Sequence, residues 1–162
     1  MAGTGTRATL ALTRLGLPFR LHEYASSKRL TGYGVEAVEQ LGLDPERTFK
    51  TLVVRTDDGK AIVGVVPISC TLDLKAIAAA ARVKHLELAE PKVAERLTGY
   101  VVGGISPLGQ QRRLATFIDT SASTYSTIFC SGGRRGLELE LTPADLLLAT
   151  NGKYAPISRR PD

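Results

Sequence analysis

Phe49-Lys50-Thr51-Leu52-Val53-Val54-Arg55, then Thr56-Asp57-Asp58-Gly59-Lys60, then Ala61-Ile62-Val63-Gly64-Val65-Val66, is the stretch that decides the fold. Two runs rich in β-branched residues, joined by five residues of turn chemistry, predict a hairpin, and Pro67 closes its second strand. Strand periodicity places Lys50 with Leu52 and Val54 on one side and Phe49, Thr51 and Val53 on the other, so neither face is simply solvated. Lys50 therefore either sits at the mouth of the strand, its stem lying along apolar surface, or points into a pocket.

Upstream of the hairpin, Leu10, Leu12 and Leu15 fall in an amphipathic helix over residues 4–15 that Gly16 ends and Pro18 reinforces. Phe19, Leu21 and Glu23 alternate with Arg20, His22 and Tyr24, the pattern of an exposed strand. Ser26 to Gly34 is polar and turn-rich. Val35, Val38 and Leu41 have helical spacing up to Gly42, and Pro45 begins a short turn. Downstream, Asp73 is placed to cap a helix from Leu74 to Ala81, whose nearly continuous apolar stripe predicts cover on most sides. Pro91 starts a helix that ends at Thr98 or Gly99. Tyr100 to Val102, Ala115 to Asp119, Thr124 to Cys130 and Leu137 to Leu141 read as strands, the last two joined by Ser131 to Gly136. Thr142-Pro143 launches a helix to about Leu148, and the basic tail from Arg159 is expected to fray. Short strands interspersed with helices and hairpin-sized loops predict an α+β fold: a curled, largely antiparallel sheet or small barrel with peripheral helices.

The 162 residues are 43% hydrophobic and 23% charged, the balance of one ordinary globular domain that needs no disulfide or metal to hold its core. No apolar stretch is long enough to span a bilayer, and the N-terminus reads as a first helix rather than a secretion signal. A cytoplasmic protein is expected, with Cys70 and Cys130 as free thiols. Lys and Arg outnumber Asp and Glu by 21 to 16, and the excess includes the pairs Arg112-Arg113, Arg134-Arg135 and Arg159-Arg160. That excess favours polyanionic partners.

His22 and His85 have no metal-ligand spacing, no phosphate or dinucleotide loop is present, and no nucleophile elbow occurs, so no metal or cofactor is expected. Gly103-Gly104-Ile105-Ser106-Pro107-Leu108-Gly109 is either an inert corner or a shaped loop offering N–H groups to an anion or carbonyl oxygen. Ser131-Gly132-Gly133-Arg134-Arg135-Gly136 puts two guanidiniums on a turn, as a solvated hairpin or a phosphate contact. Glu138 and Glu140 share a strand face, where an ordinary amphipathic strand would leave both carboxylates wet. Cys130 reads as a small core hydrophobe rather than a nucleophile.

Phe49-Lys50-Thr51-Leu52, Leu72-Asp73-Leu74-Lys75, Thr98-Gly99-Tyr100 with the glycine-rich loop after it, and Ser131 to Glu138 occur together and in order across nearly the whole chain. In this the sequence resembles the YbaK/EbsC family, and within it the bacterial Cys-tRNA(Pro) deacylases. The resemblance implies a mixed α/β fold and a trans-acting enzyme that removes Cys mischarged onto tRNA(Pro), with aminoacyl-tRNA as substrate and prolyl-tRNA synthetase as partner. It implies Tyr24, Lys50, Gly103 and Glu138 as catalytic positions. Gly104, Ile105, Ser106 and Pro107, with Gly132, Gly133, Arg134 and Arg135, would contact substrate. Glu138 departs from the family pattern, which has Asp there. The resemblance also implies that the substrate's own thiol attacks the ester, so that the protein supplies orientation and charge rather than a nucleophile. Three other readings stay open: an editing enzyme for another amino acid such as Ala on tRNA(Pro), a non-catalytic tRNA- or synthetase-binding module, and a Cys130 hydrolase.

Overall fold

The computed structural model describes residues 5–26 and 34–161. In chain order the elements are α1 (Arg7–Leu15), β1 (Arg20–Glu23), α2 (Val35–Leu41), β2 (Phe49–Arg55), β3 (Ala61–Pro67), β4 (Thr71–Leu72), α3 (Leu74–Ala81), β5 (Glu87–Leu88), α4 (Pro91–Thr98), β6 (Ala115–Asp119), a 3₁₀ turn at Thr120–Thr124, β7 (Ile128–Arg134), β8 (Leu137–Leu141), α5 (Pro143–Thr150), β9 (Lys153–Ala155) and β10 (Ser158–Arg159). The hairpin forms as expected, in unbroken register from Phe49 opposite Pro67 to Arg55 opposite Ala61.

β2 and β3 lie inside a five-stranded sheet of order β5-β2-β3-β6-β9, and β1, β8 and β7 form an antiparallel three-stranded sheet. The β3–β6 and β6–β9 pairs are parallel and the other five strand pairs antiparallel, so among the described residues the mixed, largely antiparallel fold holds. The sheets remain open, which decides against a barrel. A bridge between Thr48 and Phe129 joins them at the entry to β2.

Period-two alternation splits β3 between two cores. Val63 and Val65 face the three-stranded sheet and pack with Ile128, Cys130, Leu139 and Leu141 beneath Leu12 of α1 and Leu146 of α5. Ile62 and Val66 face the other way, against Leu72, Ile77 and Ile157. Gly64 shares that second face, where a Cβ would lie 3.0 Å from both Ile77 Cδ1 and Leu72 Cδ1, so the missing side chain is what lets α3 settle onto the sheet. Helix ends follow their sequence signals: Thr6 and Thr9 form a capping box on α1, Asp73 accepts from the Ala76 N–H at 3.0 Å on α3, and Pro91 and Pro143 open α4 and α5 after Glu90 and Thr142.

Several expectations need correction. α1 begins at Arg7, after its cap at Thr6. β1 is not simply exposed, since Phe19 and Leu21 pack on the main core. Most of the turn-rich stretch from Ser26 to Gly34 lies outside the described residues. Only Ile77 and Ala78 of α3 are buried while Lys75 and Ala79 are exposed, because the sheet covers one side of the helix. Tyr100 to Val102 is not a strand: Gly104 N–H donates to Val101 O, the Glu95 carboxylate accepts from Val102 N–H, and the chain turns instead of pairing. The strand placed at Thr124 to Cys130 starts at Ile128, because Asp119 caps the 3₁₀ turn before it, and runs on through Gly132 and Gly133 to Arg134 with a register shift after Ser131. The tail is held rather than frayed. Asp119 Oδ1 accepts from the N–H groups of Ile157 and Ser158 at 3.0 Å each, β10 pairs with β4, and Arg160 makes a two-pronged ion pair with Glu46.

Candidate active site

β3 runs along the whole of one edge of β2, but on the other edge β5 covers only Val54 and Arg55. Among the described residues, no strand pairs with Lys50 to Leu52 on that edge, between the Thr48–Phe129 bridge and β5. Val53 C=O points to that side, accepting from Ala89 N–H at 2.9 Å, and strand alternation turns the N–H and C=O of Thr51 the same way. A cleft opens there, lined by Tyr24, Gly34, Phe49, Lys50, Thr51, Gly103, Ile105, Ser131 and Glu138. The volume open to the centre of a water molecule is only about 20 Å³, so the unliganded cleft is narrow.

All four residues expected to be catalytic line this one cleft, although they come from the end of β1, the start of β2, the loop after α4 and the middle of β8. Lys50 is half-buried, and burial lowers the pKa of its ammonium, partly offset by the Cys70 thiol. Burial also raises the Tyr24 phenol, helped by the charges of Glu138 and Glu36 and opposed by the Gly136 backbone and Arg134. Glu138 is 3% exposed and makes no hydrogen bond or ion pair among the described residues. Desolvation pushes its carboxyl up to about 8, so near neutral pH it is mostly a neutral acid able to donate a hydrogen bond. Glu140, its neighbour on that face, binds His22 Nε2 at 2.9 Å and Thr127 Oγ1 at 2.6 Å. Neither carboxyl is wet.

Gly103 has φ +93°, and a Cβ there would lie 2.7 Å from Arg135 Nε. Arg135 Nε donates to Val102 O at 3.1 Å and braces the loop from behind. Arg134 donates to Arg135 O and pairs with Glu23 at 3.4 Å. Both guanidiniums thus serve the protein's own backbone and carboxylates. Of the other expected contact residues, Ile105 lines the cleft and Gly104, Ser106, Pro107, Gly132 and Gly133 do not. Ser106 is fully buried with its hydroxyl accepting from Leu108 N–H, Pro107 borders a different cavity, Gly132 O accepts from Thr6 Oγ1, and Gly133 packs on Thr6 and Tyr100.

Two hydroxyls join the site that sequence reasoning did not single out. Ser131 stands opposite Glu138 across the β7–β8 ladder, a relation legible only once the register is known. Thr51 is buried, and its Oγ1 has no hydrogen-bond partner among the described residues. A buried hydroxyl without a partner costs about 1–3 kcal/mol, and on a cleft wall a bound ligand can supply the missing bond. Among the described residues the lining offers a cation, a neutral acid, a phenol and hydroxyls, but no thiol or imidazole. Cys130 is fully buried in the main core with its thiol pushed well above the usual range. No group of three or more potential metal ligands occurs among the described residues, and no helix there is long and apolar enough to cross a membrane.

Comparison with known proteins carries the same features into a family. A relative from Enterococcus faecalis, named "Putative Cys-tRNA(Pro)/Cys-tRNA(Cys) deacylase EbsC", is 36% identical over 96% of this chain and 94% of its own. The crystal structure of "a putative trans-editing enzyme for prolyl tRNA synthetase" superposes with a TM-score of 0.84 at 25% identity, covering 98% of this chain and 99% of that one. The profile of the aminoacyl-tRNA editing domain matches residues 32–148, which take in Lys50, Thr51, the glycine loop and Glu138. With every cleft-lining residue but Tyr24 inside that match, the chain belongs to the aminoacyl-tRNA editing domain family.

Proposed function

We propose that this protein is a deacylase that hydrolyses the ester of Cys mischarged onto tRNA(Pro). The observation that carries the reading is the cleft itself. It brings Lys50, Tyr24, Gly103 and Glu138 together and, among the described residues, offers no thiol or imidazole, in a chain over one-third identical to a protein named as a putative Cys-tRNA deacylase.

The chemistry that suits such a site starts from the substrate. The cysteine thiol gives up its proton and its sulfur attacks the ester carbonyl carbon. The bond from that carbon to the terminal ribose oxygen breaks, the ribose oxygen takes up a proton, and a four-membered thiolactone leaves, to be opened by water. Attack within one molecule has a high effective concentration, so the protein contributes orientation and charge. Lys50 stabilises negative charge on the carbonyl oxygen, and Gly103, having no Cβ, lets the ester approach the backbone. Glu138 faces the substrate α-amino group or the departing ribose oxygen as a neutral hydrogen-bonding acid that an incoming ammonium can ionise. Prolyl-tRNA synthetase, the enzyme that makes the error, is the expected partner, and the cytoplasm the expected compartment. The test is single-turnover release of labelled Cys from Cys-tRNA(Pro): release well above the spontaneous rate is expected, and tRNA binding without release would make the protein a binding module.

A further inference from the structure

The loop that brings Gly103 and Ile105 to the cleft continues through Pro107 and Gly109 into a second, larger cavity of about 500 Å³. Its walls come from α1, the end of α5 and the segment after the loop, and they include Leu15, Leu148, Asn151, Arg112 and Arg113. Arg112 and Arg113 are exposed, and neither has an ion-pair partner among the described residues, unlike Arg134 and Arg47. Among the described residues, no Asp or Glu lines the cavity. Leu15 and Leu148, exposed by 53% and 65%, add apolar surface to the same groove.

Two cations beside the exposed side chains of Leu15 and Leu148, with no acid in the lining among the described residues, complement an unpaired nucleic-acid strand, whose phosphates meet the guanidiniums while sugars and bases lie on apolar side chains. The position fits as well. Gly103 and Pro107 are four residues apart, which bounds their separation at about 15 Å, a distance that an unpaired strand spans in a few nucleotides. We propose that this groove receives the phosphate backbone of the tRNA 3′ end, with Arg112 and Arg113 as its principal contacts. The proposal rests on the deacylase reading for the direction of the strand, and it moves the tRNA contact away from Arg134 and Arg135, which the protein uses internally.

The experiment measures binding of uncharged tRNA at several salt concentrations to the wild type, to Arg112→Ala/Arg113→Ala and to Arg112→Lys/Arg113→Lys. Losing two phosphate contacts should flatten the log–log salt slope by about 1.4–1.8 and make the affinity lost between about 50 and 200 mM salt roughly tenfold smaller. The Lys pair should keep most of the wild-type slope. Thermal denaturation of the Ala pair serves as the fold control. Wild-type affinity and slope in the Ala pair would overturn the proposal, including the case where that pair instead loses binding to a prolyl-tRNA synthetase and the groove proves to be a protein-docking face. Wild-type protein that binds tRNA steeply but releases no Cys would sink the deacylase reading and leave the groove assignment standing.

Discussion

A Cβ on Gly104 would lie 2.7 Å from the Cα of Arg134 and 2.8 Å from its carbonyl carbon, so the glycine loop and the end of β7 meet backbone to backbone. Neither side has a flexible group that can yield. Gly104→Ala must therefore push the loop off β7 and carry Gly103 and Ile105 away from Lys50. We expect deacylation to fall at least tenfold, in line with the steep dependence of such reactions on sub-ångström placement, together with a lower Tm. Wild-type activity in this variant would show that the loop position is not critical.

Lys50→Ala removes the only cationic side chain lining the cleft among the described residues. The strand should tolerate the change, since the amine has no ion pair there. Single-turnover Cys release should drop by about 100-fold or more while circular dichroism stays unchanged. Release close to the wild-type rate would remove Lys50 from the chemistry.

Glu138 links stability to pH. Its folded-state pKa, about 8, is raised from 4.5 by burial, so the folded chain holds a proton that the unfolded chain has released. The stabilisation is complete below about pH 4.5 and is lost as pH rises toward 8, by on the order of 4 kcal/mol. Glu138→Gln stays neutral, so urea unfolding should show it gaining on the wild type between about pH 5 and pH 8.5. Parallel pH profiles would mean that Glu138 is ionised in the fold.

Thr51→Val deletes the unpartnered hydroxyl at nearly constant shape. Stability should hold or rise by about 1 kcal/mol, while KM for the aminoacyl-tRNA should increase because the ligand loses the bond that completes that hydroxyl. A lower stability with unchanged KM would assign Thr51 to the fold instead.

Much of this was legible in the chain because it depends on local signals. The β2–β3 hairpin follows from β-branched runs around a turn, and α3, α4 and α5 follow from Asp73, Pro91 and Thr142-Pro143. What stayed hidden depends on contacts distant in sequence. Nothing near Arg159 announces that Asp119 will hold the following segment down, and two-residue strands such as β4 and β5 carry too few residues for a pattern. The site shows the same division. Lys50 stood out as a charge opening an apolar strand, whereas Glu138 read as half of a wet pair until packing buried it. Arg134 and Arg135 gave no sign of their internal partners, Glu23 and Val102, which lie 111 and 33 residues away.

A nucleophile carried by the substrate is distinguished from an attacking water by comparing Cys-, Ser- and Ala-tRNA(Pro) in parallel single-turnover reactions while trapping the released amino acid before a thiolactone can open. A thiol ionises far more readily than a hydroxyl near neutral pH, and alanine's methyl group cannot attack at all. Substrate attack should give fast Cys release, slow Ser release, no Ala release above background and a trapped thiolactone, all retained in Cys70→Ala and Cys130→Ala. Efficient release of Ala, or Cys release with no thiolactone, would contradict it and point to attack by water in an editing site that selects by size.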